Sequence, residues 1–348
     1  MKLKDLNFNL PKELIALHPH KPRDQSNLVI AGRKNRIVKF TDILNELNPN
    51  DALIINNTKV INAELEGKLN GKKICINLNK IENHRQNIWS VLLKKQKNIV
   101  NGDKINFFKT FSAIIQIKKN ENNENLYFLK FNISLKQFKE KIRKLGKIPL
   151  PPYIKKRGLQ IRDIKDYQTI FAKNEGAVAS PTASLHFTQK LINQIKNKKI
   201  SIIKVTLHIN GGTFLPVKTN DISQHLMHFE SGEITVSAAN KINNVKKKGG
   251  KLIAVGTTVL RLLESSKDKK GNIKPFKGQT NIFIKPGWKV NTIDGIITNF
   301  HTPYSTLLAL IFAILGKKQT LKLYDYAIKN KIRFFSYGDA CLIWNKNE

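Results

Sequence analysis

Residues 251–266 read KLIAVGTTVLRLLESS. An apolar run ends at Gly256, and the chain then passes straight into a helical pattern over residues 258–265. A strand delivering its carboxyl end directly to a helix start is the unit of an α/β layer. The same alternation recurs on both sides. DALIINNTKVIN (51–62) reads as a buried strand and its exit. Thr188 caps a helix to about residue 199, and ISIIKVTLHI (200–209) follows as a strand. A helix over 238–248 closes at Gly249-Gly250, and Ser305 caps a helix over 306–315 that stops at Gly316.

Residues 64–131 have another texture. Short apolar or alternating runs at 74–78, 88–93, 105–108, 113–117 and 126–131 are separated by Asn70-Gly71, Asn101-Gly102 and the stretch NENNEN (120–125). Closely spaced strands with such turns predict a small antiparallel sheet or barrel. The Pro-rich stretch IPLPPYI (148–154) is a natural boundary. The expected fold class is therefore α/β: a discontinuous α/β catalytic domain at 1–62 and 148–348, with a small antiparallel β-barrel domain inserted at 63–147. No internal repeat is visible.

The chain has 348 residues, enough for roughly two domains. Its hydrophobic content of 41% is that of a globular protein. The apolar run at 307–315 is too short to span a bilayer, and the first residues, MKLKDLNFNLPKEL, contain no apolar signal core. Cys75 and Cys341 have no metal spacing, so a reduced, cytoplasmic setting is expected. Lys and Arg number 61 against 25 Asp and Glu, a net charge of +36. Compositional drift toward Lys, Asn and Ile explains part of this. The rest points to a polyanionic partner, nucleic acid before an anionic membrane, since no basic amphipathic helix stands out.

Lysine is absent from 174–189, 205–217, 219–240, 252–266, 290–316 and 334–345. Five of the eight histidines lie in these islands: His186, His208, His225, His228 and His301. So do Glu230, Arg261, Glu264 and Asp339. Burial excludes Lys too, and accounts for Leu307, Leu308, Ile311 and Phe312. It accounts poorly for so many polar groups in the same windows, which points to a shared polar site.

Each island carries its own chemistry. SPTASLHFT (180–188) sets Thr182, Ser184 and Thr188 beside a helix start, where free N–H groups bind anions, and pairs His186 with Phe187 as a stacking surface. An ordinary capped loop reads equally well. LHINGGTF (207–214) places His208 at a strand end before a diglycine turn, with Thr213 and Phe214 behind it. HLMHFE (225–230) has an H-x-x-H spacing, but no partner Cys and no H-E-x-x-H signature, so no metal is expected; Glu230 instead sits near a cation. Thr257 and Thr258 occupy the strand-to-helix turn. Arg261 and Glu264 share a helix face and either pair together or free Arg261 to hold a substrate carboxylate. Asn299 and His301 follow a strand end in TNFHTPYSTL (298–307). RFFSYGDACL (333–342) offers Phe335, Ser336, Tyr337 and Asp339 for a flat base and its ribose, or forms a terminal core strand with a turn.

Taken in order, PTASLHFT, VTLH…GGTF, H-x-MH-x-E, VGTT-x-x-R-x-LES, ITNFH-x-P-x-STLL and RFFSYGDA-x-LI resemble the S-adenosylmethionine:tRNA ribosyltransferase-isomerases of queuosine biosynthesis. LPKELIALHPHKPRDQSNLVI, LIINNTKVINAEL, LGKIPLPPYI and YQTIFAKNEGAVASPTA extend the resemblance over nearly the whole chain. It implies an α/β domain with an inserted barrel. It also implies transfer and isomerisation of the ribosyl moiety of S-adenosylmethionine onto 7-aminomethyl-7-deazaguanine at the tRNA wobble position. The product is epoxyqueuosine-tRNA, with adenine and methionine released. No cofactor beyond that co-substrate and no metal is implied. The expected partners are S-adenosylmethionine and a tRNA with a GUN-type anticodon; no membrane partner is expected, and the protein is expected to be a monomer.

The proton-transfer candidates are His186, His208, His228, Glu230 and His301. The candidates for holding the co-substrate are Thr182, Phe187, Thr188, Thr213, Phe214, Thr257, Thr258, Arg261, Glu264, Asn299, Ser336, Tyr337 and Asp339. Three segments depart from the family pattern. Ser184 and Tyr304 stand where Gly and Lys are usual, and Asn210-Gly211 where Gly-Leu is usual. If position 184 requires positive φ, serine is strained there. The departures motivate a rival, a catalytically weakened tRNA-binding protein of the same fold. A His-based metallohydrolase is a third reading.

Overall fold

The computed structural model describes residues 1–93, 99–120, 123–214 and 219–345, with only the backbone at 213 and 214. Ala52–Asn56 lies near the middle of a nine-stranded sheet and is buried along its whole length. It pairs in parallel with Ser201–Leu207 on one side and Leu252–Val255 on the other, and Gly295–Asn299 continues the parallel run. Because side chains alternate across a strand, Ile54, Ala254 and Ile296 enter the core on one face, while Leu53, Val255 and Ile297 enter the core on the other. A sheet buried on both faces needs near-continuous apolar strands, which is how these segments read.

Ala340–Trp344 runs antiparallel to Gly295–Asn299 and is followed outward by Asn27–Ile30 and Arg36–Lys39. At the other side Glu230–Ile234 and Phe276–Thr280 complete the sheet, both antiparallel to their neighbours. One topological consequence matters for the site. The carboxyl ends of the parallel strands, the start of Glu230–Ile234 and the start of Ala340–Trp344 all meet at one sheet edge.

The helices Val236–Lys247, Thr257–Ser266, Thr306–Leu315 and Lys317–Lys329 cover one face through Ile242, Leu260, Phe312 and Tyr324. Gln189–Asn197 covers the other through Leu191 and Ile195. Each such side chain contributes roughly 1.5–3 kcal/mol by leaving water. Thr188, Thr235 and Ser305 cap their helices through their side-chain oxygens. Gly256, at φ 99°, lets Leu252–Val255 turn directly into the helix that follows.

The insert is a closed six-stranded antiparallel barrel. Its strands run, around the barrel, Asn125–Phe131, Ile88–Leu93, Lys72–Asn83, Glu64–Leu69, Lys104–Phe107 and Phe111–Lys119. The helix Leu135–Leu145, capped by Ser134, stoppers it with Phe138 and Ile142. The sequence reading found the barrel and the α/β layer but not this helix, the strand Glu64–Leu69 or the helix Lys317–Lys329.

Candidate active site at the carboxyl edge of the sheet

A cavity of about 430 Å³ opens at that edge. The strand ends supply its walls: Ile209 and Asn210 after Ser201–Leu207, Gly256 to Thr258 after Leu252–Val255, and Thr298 to Thr302 at the exit of Gly295–Asn299. First-turn residues of two ten-residue helices, Thr257 and Thr306, line it as well, so two positive helix ends border the space. Apart from Pro151, Pro152, Tyr153 and Tyr167, every lining residue comes from a lysine-free island.

Glu230 and Arg261 form a buried ion pair in this wall, 2% and 4% exposed. Glu230 also accepts from the Asn210 N–H at 3.3 Å, and Arg261 Nε donates to the Ile282 carbonyl at 3.2 Å. Arg261 Nη2, a buried atom, is left without a partner among the described residues. Arg261 therefore does not pair with Glu264, and its fork has one free arm rather than two for a ligand. Among the described residues no lysine lines the cavity, and Glu230 offsets Arg261, so the space is compatible with a cationic ligand.

His301 lines the cavity with its Nε2 3.0 Å from Thr298 Oγ1, and its backbone N–H donates to Tyr324 Oη at 3.1 Å. Burial pushes its pKa down to about 3, so the ring is neutral and keeps a lone pair at physiological pH. Thr182, His228, Thr257, Thr258, Asn299 and Ser336 share the wall. His228 is exposed at the rim and packs over Gly212, where a Cβ would lie 2.2 Å from its Cδ2.

His186 does not reach the cavity. It stacks on Phe40 at 4.9 Å, its Nδ1 lies 2.7 Å from Ser26 Oγ, and its Nε2 meets Asn299 Nδ2 at 3.4 Å. Asn299 Nδ2 also donates to the Phe335 carbonyl at 3.0 Å. The amide is thus held with Nδ2 turned toward protein acceptors and Oδ1 unpartnered among the described residues. Burial pushes the His186 pKa down to about 4, against the raising effect of Asp339. His186 stands behind the wall and orients Asn299.

His208 opens instead to a second cavity of about 460 Å³ between the barrel and the sheet. Asn210 lines both cavities, and Asn79 of the barrel ties them by accepting from the Gly211 N–H at 2.9 Å. The remaining candidates are committed to structure. Phe187 is core, edge-on to Phe40 and Phe171. Thr188 caps its helix and bonds Asp24. Glu264 accepts from Trp288 Nε1 at 2.8 Å and Thr292 Oγ1 at 2.7 Å and pairs with Lys267. Tyr337 is buried away from the first cavity. Asp339 accepts from the Asn27 and Arg333 backbone N–H groups and faces the Arg333 guanidinium. The side chains of Thr213 and Phe214 lie outside the described residues.

Phe335, offered by the sequence as a stacking surface, lines the cavity, whereas sequence reasoning missed Tyr153; the two rings meet edge-on at 4.8 Å in the wall, with the Tyr153 hydroxyl accepting from the Ser336 N–H at 2.8 Å. Tyr153 lies in IPLPPYI, which reads only as a boundary. Phe335 holds φ 74°, a strained conformation for an aromatic residue, of the kind that concentrates at functional sites. Ser184 lies in the 3-10 turn Thr182–His186 and is not among the positive-φ residues, so serine there is unstrained. Tyr304 has φ 56° and stands exposed in the cavity wall. Among the described residues no group of three or more His, Cys, Asp or Glu is arranged to hold a metal, and no helix is long and apolar enough to cross a membrane.

A family model described as "Queuosine biosynthesis protein" matches residues 3–343. The S-adenosylmethionine:tRNA ribosyltransferase-isomerase of Zymomonas mobilis is 42% identical over 348 residues, covering 99% of this chain and 100% of the relative. That of Halothermothrix orenii is 40% identical, with 99% and 100% covered. The crystal structure of S-adenosylmethionine tRNA ribosyltransferase from Thermotoga maritima superposes with a TM-score of 0.54 at 28% identity, over 97% of this chain and 99% of that one. With a match of this length and identity over a fold of the same kind, the chain belongs to the queuosine biosynthesis protein family.

Proposed function

We propose that this protein transfers and isomerises the ribosyl moiety of S-adenosylmethionine onto 7-aminomethyl-7-deazaguanine at the wobble position of a tRNA with a GUN-type anticodon. Epoxyqueuosine-tRNA forms, and adenine and methionine leave. The observation that carries the reading is the lysine-free cavity with a neutral histidine and a charge-balanced Glu230–Arg261 pair. S-Adenosylmethionine carries a sulfonium, which an uncompensated lysine would repel.

In this reading His301 takes the C5′ proton acidified by the sulfonium, because its unprotonated nitrogen needs no prior loss of charge. The two helix N-termini and the free Nη2 arm of Arg261 meet the methionine carboxylate. Adenine lies against Phe335 and Tyr153, beside Asn299, whose buried Oδ1 has no partner among the described residues. Glu230 holds Arg261 and offsets its charge. His228, at the rim, exchanges protons with solvent.

We further propose the α/β domain at 1–62 and 148–348 and the barrel domain at 63–147; the barrel strands and the helix Leu135–Leu145 all fall inside the latter range. The protein acts as a cytoplasmic monomer, and its +36 charge draws tRNA to it. The test is incubation with labelled S-adenosylmethionine and tRNA carrying the deazaguanine precursor. Adenine release that requires the modified tRNA supports the reading. Tight tRNA binding without release replaces it with the weakened binding protein, and loss of activity on chelation replaces it with a metallohydrolase.

A further inference from the structure

The second cavity gathers what the first excludes. Lys59 and Lys80 line it from the strand regions, and Lys139 and Arg143 from the helix that closes the barrel. Among the described residues Glu175 is the sole carboxylate in the lining, 3.1 Å from Lys59 and 2.9 Å from Arg143. Lys80 pairs with Glu82 at 3.2 Å, and no ion pair engages Lys139 among the described residues.

His208 sits in this cationic wall with a fixed orientation. Its Nδ1 lies 2.8 Å from Thr58 Oγ1, and that hydroxyl donates onward to the Asn174 carbonyl at 3.4 Å. In the tautomer in which the Thr58 proton points to the Asn174 carbonyl, Nδ1 carries the imidazole hydrogen and Nε2 carries the lone pair. Nε2 has no protein partner among the described residues. Gly176 makes room for the ring: a Cβ there would stand 2.8 Å from Nδ1 and 3.0 Å from Cγ.

We propose that this second cavity receives the aminomethylated nucleobase of the RNA, and that His208 Nε2 accepts the proton its ammonium group sheds before the nitrogen attacks. The inference rests on the function proposed above. The step balances: R–CH2–NH3⁺ and neutral His208 give R–CH2–NH2 and an imidazolium, whose proton then passes to solvent. The nitrogen lone pair so freed is the nucleophile. It stands beside Asn210, which borders the cavity assigned to S-adenosylmethionine.

The lysines have a role in this step. An ammonium entering among Lys59, Lys80, Lys139 and Arg143 is destabilised relative to the neutral amine, which lowers its pKa toward that of the acceptor. Burial and, after it, Lys139 hold His208 below its ordinary value, while Glu233 opposes them. Glu175 tempers the cationic field beside Gly176, and His84 completes the titratable groups around the cavity. His208 is thus uncharged at neutral pH and ready to accept.

The experiment is single-turnover adenine release from labelled S-adenosylmethionine with modified tRNA, as a function of pH, for the wild type, His208→Gln and Lys139→Met. Affinity for S-adenosylmethionine is measured alongside by calorimetry. His208→Gln is expected to slow release about 100-fold at pH 7, to recover toward wild type near pH 9.5 where the amine deprotonates unaided, and to bind S-adenosylmethionine unchanged. Lys139→Met is expected to move the acid limb of the profile to higher pH. A pH-independent loss in His208→Gln, a loss of S-adenosylmethionine affinity, or an unmoved limb in Lys139→Met overturns the assignment. Failure of the wild type to release adenine instead removes the function on which it rests.

Discussion

The buried Glu230–Arg261 pair permits a quantitative test. Replacing Glu230 with Leu leaves a guanidinium that is 4% exposed without its counter-charge, and replacing Arg261 with Met strands a carboxylate that is 2% exposed. Breaking a buried pair from one side costs about 3–5 kcal/mol. A chain of 348 residues has an unfolding entropy of roughly 0.7 kcal/mol/K, so each single change lowers Tm by about 4–7 °C. The double variant removes both charges and takes one acceptor from the Asn210 N–H and one donor from the Ile282 carbonyl, a cost of about 1–3 kcal/mol for each. Its loss, roughly 2–6 kcal/mol, is therefore expected to fall short of the summed single losses, roughly 6–10 kcal/mol. The assay is thermal unfolding by circular dichroism at one scan rate for all four proteins. If the two single losses simply add in the double variant, the residues act independently and the charge-balanced wall does not exist.

Other expectations follow from single contacts. His186, held near pKa 4 in the fold against about 6.5 when unfolded, binds its proton first in the unfolded chain. Stability is therefore full above pH 6.5 and falls as the pH drops toward 4, by about 3 kcal/mol from this group; urea melts of His186→Phe across that range will show a shallower decline. Glu264→Gln removes the counter-charge of Lys267 and one acceptor of the 288–292 segment, so it will lower Tm yet leave S-adenosylmethionine affinity unchanged in calorimetry. Gly212→Ala pushes the exposed His228 ring outward, at about 1 kcal/mol or less of stability, and a slowed adenine release will report the displaced rim. Log affinity for tRNA will fall with log salt at about 0.7–0.9 per phosphate contact, and a flat response excludes the basic surface as the docking face.

The α/β layer was legible because its strands are apolar on both faces and its helices start at Thr188 and Ser305 and stop at Gly316. The helix Lys317–Lys329 was hidden by that same Gly316, which ends one helix and begins the next at φ 80°. In Leu135–Leu145 only Phe138 and Ile142 are buried, so the apolar stripe is too thin to stand out among lysines. Glu64–Leu69 reads ELEGKL, and Gly67 is there because a Cβ would meet Ile105 at 2.7 Å, a packing fact that no local pattern carries.

At the site, the absence of lysine located the right loops but could not rank their members. Glu230, Glu264 and Asp339 are all buried carboxylates within lysine-free islands, and any of them would be costly to bury unpaired. What separates them is which donors reach them. Glu264 and Asp339 are consumed by segment-fastening contacts, whereas Glu230 and Arg261 balance each other in a cavity wall. The histidines divide by the same logic. His186 is spent on Ser26 and Asn299, His301 keeps a neutral ring in the lysine-free cavity, and His208 faces the lysine-rich one. Lysine is thus partitioned between two adjoining spaces rather than simply kept out of a core. The cations of the second space are half-buried or exposed, so burial permits them there, and their place beside His208 suits an amine that must give up its proton.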